Sequence, residues 1–174
     1  MSLAVFPVSR YNKSELVFNP IELIVTNDPK KSVNIQNHPK RNLGSRTIHT
    51  NGKYWISKDD LKYIQPNNLL RLLNLYNIKI LEVNNNQIIS VFHSDEIINK
   101  LPKIQWVTND YAEFNILIPH SLFKNGVYNK SSLETIPCFI EKDVEKLNQN
   151  EIIQLVRFGF CRIDCDNNII YIHK

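Results

Sequence analysis

Leu69-Leu70-Arg71-Leu72-Leu73-Asn74-Leu75-Tyr76-Asn77-Ile78-Lys79-Ile80-Leu81-Glu82-Val83, then Asn84-Asn85-Asn86, then Gln87-Ile88-Ile89-Ser90-Val91-Phe92-His93, is the stretch that decides the fold class. Two apolar runs rich in Ile and Leu flank three asparagines, and asparagine tolerates the left-handed backbone of a tight turn. The same grammar recurs on both sides. Toward the N-terminus, Leu16 to Phe18 and Ile21 to Val25 flank Asn19-Pro20, and Pro20 suits a strand start or an edge. Toward the C-terminus, Ile104 to Val107 and Phe114 to Ile118 read as strands around a loop at Thr108 to Glu113. Glu151 to Ile163 and Ile169 to His173 form a last pair around Asp164 to Asn168.

Between these runs, Thr26 to Asn42 reads as a long polar loop. Arg46 to His49, Asn51-Gly52 and Lys53 to Ile56 read as a hairpin, because Asn-Gly supplies the positive φ of a two-residue turn. Ser57-Lys58-Asp59-Asp60 predicts a short helix from Asp59 to about Ile64, ended before Pro66. Ser94 to Leu101 is polar and reads as the link between two halves. Many short strands at this spacing predict a barrel or sandwich rather than βαβ units. No internal repeat is visible by eye.

At 174 residues, 43% of them hydrophobic, the chain is long enough for one medium domain or two small ones with a buried core. A net charge of +4 leaves a polyanionic partner open without demanding one. Cys138, Cys161 and Cys165 are three and lack CxxC spacing, so a disulfide framework is not expected and a reducing, cytoplasmic setting is. Met1 to Arg10 lacks the apolar run of a signal peptide, and no window approaches the ~18 apolar residues of a membrane span. With only four glycines, neither GxxxxGK[ST] nor GxGxxG occurs.

Enzyme constellations are missing from the pattern. His38, His49, His93, His120 and His173 show no metal-ligand spacing, and no cysteine has a paired base in sequence. Carboxylates such as Asp59-Asp60 and Glu141-Asp143 fall in cap or loop contexts, where solvation is the expected state. Basic residues interleaved with aromatics and amides, at Lys53-Tyr54-Trp55, Arg71 through Tyr76, Gln105-Trp106 and Gln154 to Phe160, are what unpaired bases require for stacking and edge reading. Trp55, Trp106 and Phe158 are nonetheless more often core residues than stacking platforms. Lys40-Arg41, in the long loop, is the better candidate for phosphate contact.

Phe18 to Leu23, His38-Pro39 with Gly44 to Arg46, Tyr54 to Asp60, Leu70 to Ile78, Ile104 to Val107 and Ile153 to Asp164, taken in order, resemble one family, the anticodon-binding region of the class I glutamyl- and glutaminyl-tRNA synthetases. Phe18-Asn19-Pro20-Ile21-Glu22-Leu23 is similar to its "DPVKL" strand. His38-Pro39 followed by Gly44-Ser45-Arg46 is similar to its "HPxxxxxGxR" loop, and Tyr54 to Asp60 to "IYISKDD". Leu70 to Ile78 resembles "VRLMDLFNV", Ile104 to Val107 "IQWV", and Ile153 to Asp164 "VQFERFGFVRID". The "RFGFxRID" ending and the "IQWV" spelling point to the archaeal-type glutamyl branch.

The resemblance implies an all-β fold of two small six-stranded antiparallel β-barrels with exchanged strands and a few short helices. Residues 1–12 stay unplaced, 13–102 form the first (proximal) barrel and 103–174 the second (distal) barrel. It implies anticodon reading by Lys13, Arg71, Gln154 and Arg157, with Lys40, Arg41 and Arg46 on phosphates. Leu73 stands where the glutaminyl pattern has a second Arg, and Leu155-Val156 replaces an acidic pair. The expected partners are tRNA(Glu), with tRNA(Gln) the alternative, and the catalytic domain of the same synthetase; neither DNA nor a membrane is expected. "HIGH" and "KMSKS" motifs do not occur, so the chain reads as a separated C-terminal region, with no catalytic residue or metal site and with ATP and Mg belonging to the full-length enzyme.

Overall fold

A computed structural model describes residues 12–37 and 44–174, with side chains from residue 14 onward. The expectations at His38, Pro39, Lys40 and Arg41 lie outside the described residues. The first half runs β1 (Asn12–Ser14), β2 (Leu16–Phe18), β3 (Pro20–Thr26), β4 (Ser32–Gln36), β5 (Ser45–His49), β6 (Lys53–Ser57), β7 (Leu69–Leu72), β8 (Asn77–Val83) and β9 (Gln87–Ser94). The second runs β10 (Lys103–Ile104), β11 (Trp106–Thr108), β12 (Tyr111–Pro119), β13 (Phe123–Lys124), β14 (Val127–Tyr128), β15 (Leu133–Glu141), β16 (Ile152–Leu155), β17 (Gly159–Ile163) and β18 (Asn168–His173). Single 3-10 turns, Lys58–Tyr63 and Lys142–Lys146, follow β6 and β15.

The fold is all-β, in two barrel-like sheets of the same design. One has the order β10-β7-β8-β9-β3-β6-β11, the other β1-β16-β17-β18-β12-β15-β2. Every step matches: β10 and β1 pair in parallel at one edge, Lys103 opposite Arg71 and Lys13 opposite Gln154, and β11 and β2 pair antiparallel at the other. Register pairs Leu70–Ile78 and Ile153–Cys161 correspond. So do the hydrogen bonds from Asn67 N to Ile80 O and from Asn150 N to Ile163 O, both 2.8 Å. The chain is therefore an internal structural repeat, which the sequence did not reveal by eye. Each sheet has seven strands, one more than the resemblance implies.

The lead-in strands are exchanged. β1 and β2 precede the first half yet complete the second sheet, while β10 and β11 precede the second half and complete the first. The cores show the same exchange: Ile104 and Trp106 pack with Leu23, Tyr54 and Leu72, while Leu16 packs with Ile116, Ile140 and Ile153. Burying an Ile or Leu side chain contributes about 1.5–3 kcal/mol, so neither half retains its full core alone.

Three local expectations change. Ser45–His49 pairs with Ser32–Gln36, not with Lys53–Ser57, which lies between β3 and β11. The Asn51-Gly52 turn feeds the chain back to β3 instead, with the Gly52 carbonyl accepting from Val25 N at 2.8 Å. The supposed loop after Thr26 thus contains β4, whose Val33 and Ile35 face inward alternately with polar neighbours. β15 is new; Pro137 sits beyond the three residues that β2 covers, where a missing N–H costs no ladder bond.

Candidate RNA interface at the strand crossing

The two lead-in segments cross at Glu15, between β1 and β2, and Gln105, between β10 and β11; both are buried, at 6% and 4% exposure. Gln105 Nε2 donates to Val156 O at 3.2 Å, tying the crossing to the turn between β16 and β17. Val156 N in turn donates to Ser14 O, and in the other half Leu73 N donates to Ile104 O. Two equivalent turns, Leu73 to Leu75 and Val156 to Phe158, are thereby fixed beside the crossing. Each has a left-handed residue at the same place, Asn74 at φ 60° and Arg157 at φ 65°.

Arg157 reaches from its turn across the junction. Its Nη2 donates to Lys103 O at 2.9 Å and its Nη1 to Asp60 Oδ1 at 3.4 Å, yet the side chain stays 49% exposed. Gln154 is half-buried on β16, in register with Lys13 on one side and Phe160 on the other. Arg71 is in register with Lys103 and Asn77. Its guanidinium is largely occupied within the chain: Nη1 donates to Asn77 Oδ1 at 2.9 Å and approaches the carbonyls of Asp95 and Glu96, and Nη2 donates to Leu75 O at 3.1 Å. Arg157 and Arg71 thus meet at Lys103, which the sequence reading did not single out, with Asp60 against Arg157 and Gln154 on the strand that leads into the Arg157 turn. Lys103 holds before β11 the place that Lys13 holds before β2, a signal that the repeat makes legible.

Arg46 has a different role from the phosphate contact expected of it. Its side chain is 6% exposed and its Nη2 lies 2.7 Å from Glu141 Oε2, which also accepts from Glu15 N at 3.1 Å. Asp60 and Glu141, expected to be solvated, are buried at 6% and 7%. Burial pushes the carboxyl of Asp60 above its ordinary range, opposed by Arg157, and that of Glu141 likewise, opposed by Arg46. Burial, with repulsion from Glu141, pushes Glu15 up to about 7.

The aromatics divide between core and seam. Trp106 is 3% exposed and donates through Nε1 to Leu73 O at 2.8 Å. Trp55 meets Tyr111 and Phe139 edge-on across the seam, and those two rings stack at 3.9 Å. Phe158 packs between Phe18 and Tyr171. Together with Arg157, His120 and Lys174 these three rings line a groove of about 570 Å³. Burial pushes the thiols of Cys138 and Cys161 up to about 12, where they are inert. No cluster of His, Cys, Asp and Glu fit to hold a metal occurs among the described residues, and no helix among them is long and apolar enough to cross a membrane.

Comparison with known proteins agrees with this geometry. Residues 14–95 and 103–164 match two sequence models of one description, the anti-codon binding domain of class I (E and Q) tRNA synthetases. The chain is 36% identical to the glutamate–tRNA ligase of Nitrosopumilus maritimus over 91% of its own length and 28% of that protein's. It is 32% identical to that of Methanocaldococcus jannaschii, over 87% of this chain and 26% of the relative, and 33% identical to that of Pyrococcus horikoshii, over 94% and 28%. The chain thus spans under a third of the length of these curated relatives. Two matched segments, one for each half of a strand-exchanged repeat, show that the chain belongs to the anticodon-binding domains of the class I (E and Q) tRNA synthetases.

Proposed function

We propose that the chain is the anticodon-binding region of an archaeal-type glutamate–tRNA ligase, and that it binds tRNA(Glu) by reading unstacked anticodon bases at the strand crossing. The observation that carries this reading is the end of β16 and the turn after it, which bear Gln154 and Arg157. They present an amide with both donor and acceptor and a half-exposed guanidinium fork beside the exposed Lys103. A uracil or cytosine edge is complementary to that set. Lys13 and Arg71 flank it through their strand registers. The free N–H groups of Arg71 are fewer, because its fork is already shared with carbonyls of its own chain. Aminoacylation, with ATP and Mg, belongs in this reading to the catalytic domain of the longer protein, working in the cytoplasm.

The relatives' name favours glutamate, as does Leu73 at the place of the glutaminyl pattern's second arginine. Filter-binding titrations with tRNA(Glu) and tRNA(Gln) transcripts at two salt concentrations test the proposal. Tighter binding of tRNA(Glu) is expected, with log affinity falling by roughly 0.7 per phosphate contact for each tenfold rise in salt. Gln154→Ala and Arg157→Ala should each weaken binding by roughly 1–3 kcal/mol, the first with unchanged melting and the second with lowered melting, since it leaves the buried Asp60 carboxylate without its cation. Tighter binding of tRNA(Gln) would move the assignment to a glutaminyl enzyme, and salt-insensitive or absent binding to a protein-interaction barrel.

A further inference from the structure

The two halves have the same turn in the same place, but among the described residues only the Arg157 turn is joined to its facing 3-10 turn by an ion pair. Ile64 N donates to Leu61 O and Leu147 N to Val144 O, which sets the two 3-10 turns in correspondence and makes Asp60 the counterpart of Asp143. Arg157 is likewise the counterpart of Asn74, at nearly the same φ. At the Asn74 turn the left-handed residue is an asparagine, a type that adopts this backbone readily, and Asp143 is spent on Lys146, 2.6 Å away on its own turn. At the Arg157 turn a long cationic residue occupies the strained conformation, and the corresponding aspartate is buried beneath it, with a side chain 9% exposed against 40% for Asp143. Asp60 Oδ2 has no hydrogen-bond partner, and Arg157, ahead of Lys62, offsets the burial of this carboxylate.

We infer that Asp60, buried in the first half, is the positioning residue that aims the Arg157 guanidinium of the second half at the base it reads. This rests on the RNA-reading proposal above and adds to it the residue on which specificity depends. Asp60 and the Lys103 carbonyl engage one Nη each, from the 3-10 turn and from β10, and so fix both the rotation and the reach of the fork. A guanidinium presents five N–H donors, so a fork held by two of them still offers a defined face to an RNA edge. Held this way, Arg157 discriminates between bases; released, it remains a cation beside the RNA but one without direction. Binding strength and base selectivity are therefore separable at this site.

The test uses the whole 174-residue chain and a synthetic tRNA(Glu) anticodon stem-loop, together with stem-loops in which each anticodon base is replaced in turn. Asp60→Ala should reduce discrimination at one anticodon position roughly tenfold while weakening cognate binding much less. Asp60→Asn, which keeps an acceptor oxygen in place, should restore part of the discrimination. In an Arg157→Ala background neither change should have a further effect. Without RNA, the Arg157 Nε–H resonance should be sharp and slow to exchange in the parent protein and broadened in Asp60→Ala. Unchanged discrimination in Asp60→Asn and Asp60→Ala, or effects of Asp60→Ala and Arg157→Ala that simply add, would overturn the inference, whatever happens to melting temperature. Should Asp60→Ala fail to fold, the Asp60→Asn ratio and resonance decide. A parent protein that binds the stem-loops without discrimination, or not at all, would overturn the RNA-reading proposal instead.

Discussion

Arg46 and Glu141 form a buried ion pair, Nη2 to Oε2 at 2.7 Å, that joins the β4–β5 hairpin of the first half to the end of β15 in the second. Glu15, at the crossing of the exchanged strands, adds a second carboxyl to the same cluster. One guanidinium therefore serves two acids. The fork that resembled a phosphate contact in sequence closes the seam instead, and its Nε is buried with no acceptor.

Removing one partner of this pair leaves the other charged and dry. Arg46→Met should cost about 3–5 kcal/mol, while the double change Arg46→Met with Glu141→Leu should cost clearly less than the single one. Urea unfolding of the three proteins measures this. Single and double variants of equal stability would mean that the pair is not coupled.

Glu15 gives the seam a pH dependence. Its carboxyl is raised from 4.5 to about 7 in the folded chain, chiefly by burial and then by Glu141. The folded state therefore holds a proton that the unfolded state releases. The associated stability is fully present below pH 4.5 and is lost as pH rises through about 7. The loss is on the order of 3 kcal/mol. Glu15→Gln should match the parent near pH 5 and exceed its stability at pH 8. Urea midpoints at the two pH values decide it, and a constant difference between the proteins would show that Glu15 does not titrate in this range.

Strand content was legible from sequence because it is written locally. Asn84 to Asn86 and Asp164 to Asn168 punctuate apolar runs, and both places turn in the structure. Sheet order was not, because β1, β2, β10 and β11 cross into the opposite sheets and nothing in a three-residue strand states its partner. β4 was hidden by its polar face, although Val33 and Ile35 alternate as a half-buried strand requires. At the site, Gln154 and Arg157 were reached through resemblance. Asp60 and Glu141 were read as solvated carboxylates, since burial is a property of the assembled seam and not of the residues beside them in the chain.

Arg71 should prove as structural as it is functional. Its fork ties the turn after β7 to the segment that leaves β9, through Leu75 O, Asn77 Oδ1 and Glu96 O. Asn77, fully buried, donates to the same Glu96 carbonyl at 2.7 Å. Arg71→Ala should therefore lower stability by about 2 kcal/mol, and Arg71→Lys should recover little of it, because an ammonium is a point donor and not a fork. Thermal melts with limited proteolysis around Asp95 and Glu96 report the loss. Full recovery by lysine would show that charge alone is needed.

Gly159 separates backbone strain from close packing. It follows the Arg157 turn at φ 155°, and a Cβ there would lie 2.6 Å from the His173 carbonyl oxygen and 3.0 Å from the Tyr171 ring. Gly126, in the β13–β14 turn at φ 79°, has nothing within 4 Å of such a Cβ. Alanine at Gly126 therefore meets only the conformational cost, about 1 kcal/mol. At Gly159 it must also push β17 from β18, and the total should exceed roughly 3 kcal/mol. The same shift moves the segment that carries Arg157, so Gly159→Ala should weaken RNA binding while Gly126→Ala leaves it unchanged. Urea unfolding and stem-loop titration of both variants provide the comparison; equal destabilisation by the two would mean that the contact with His173 relaxes without resistance.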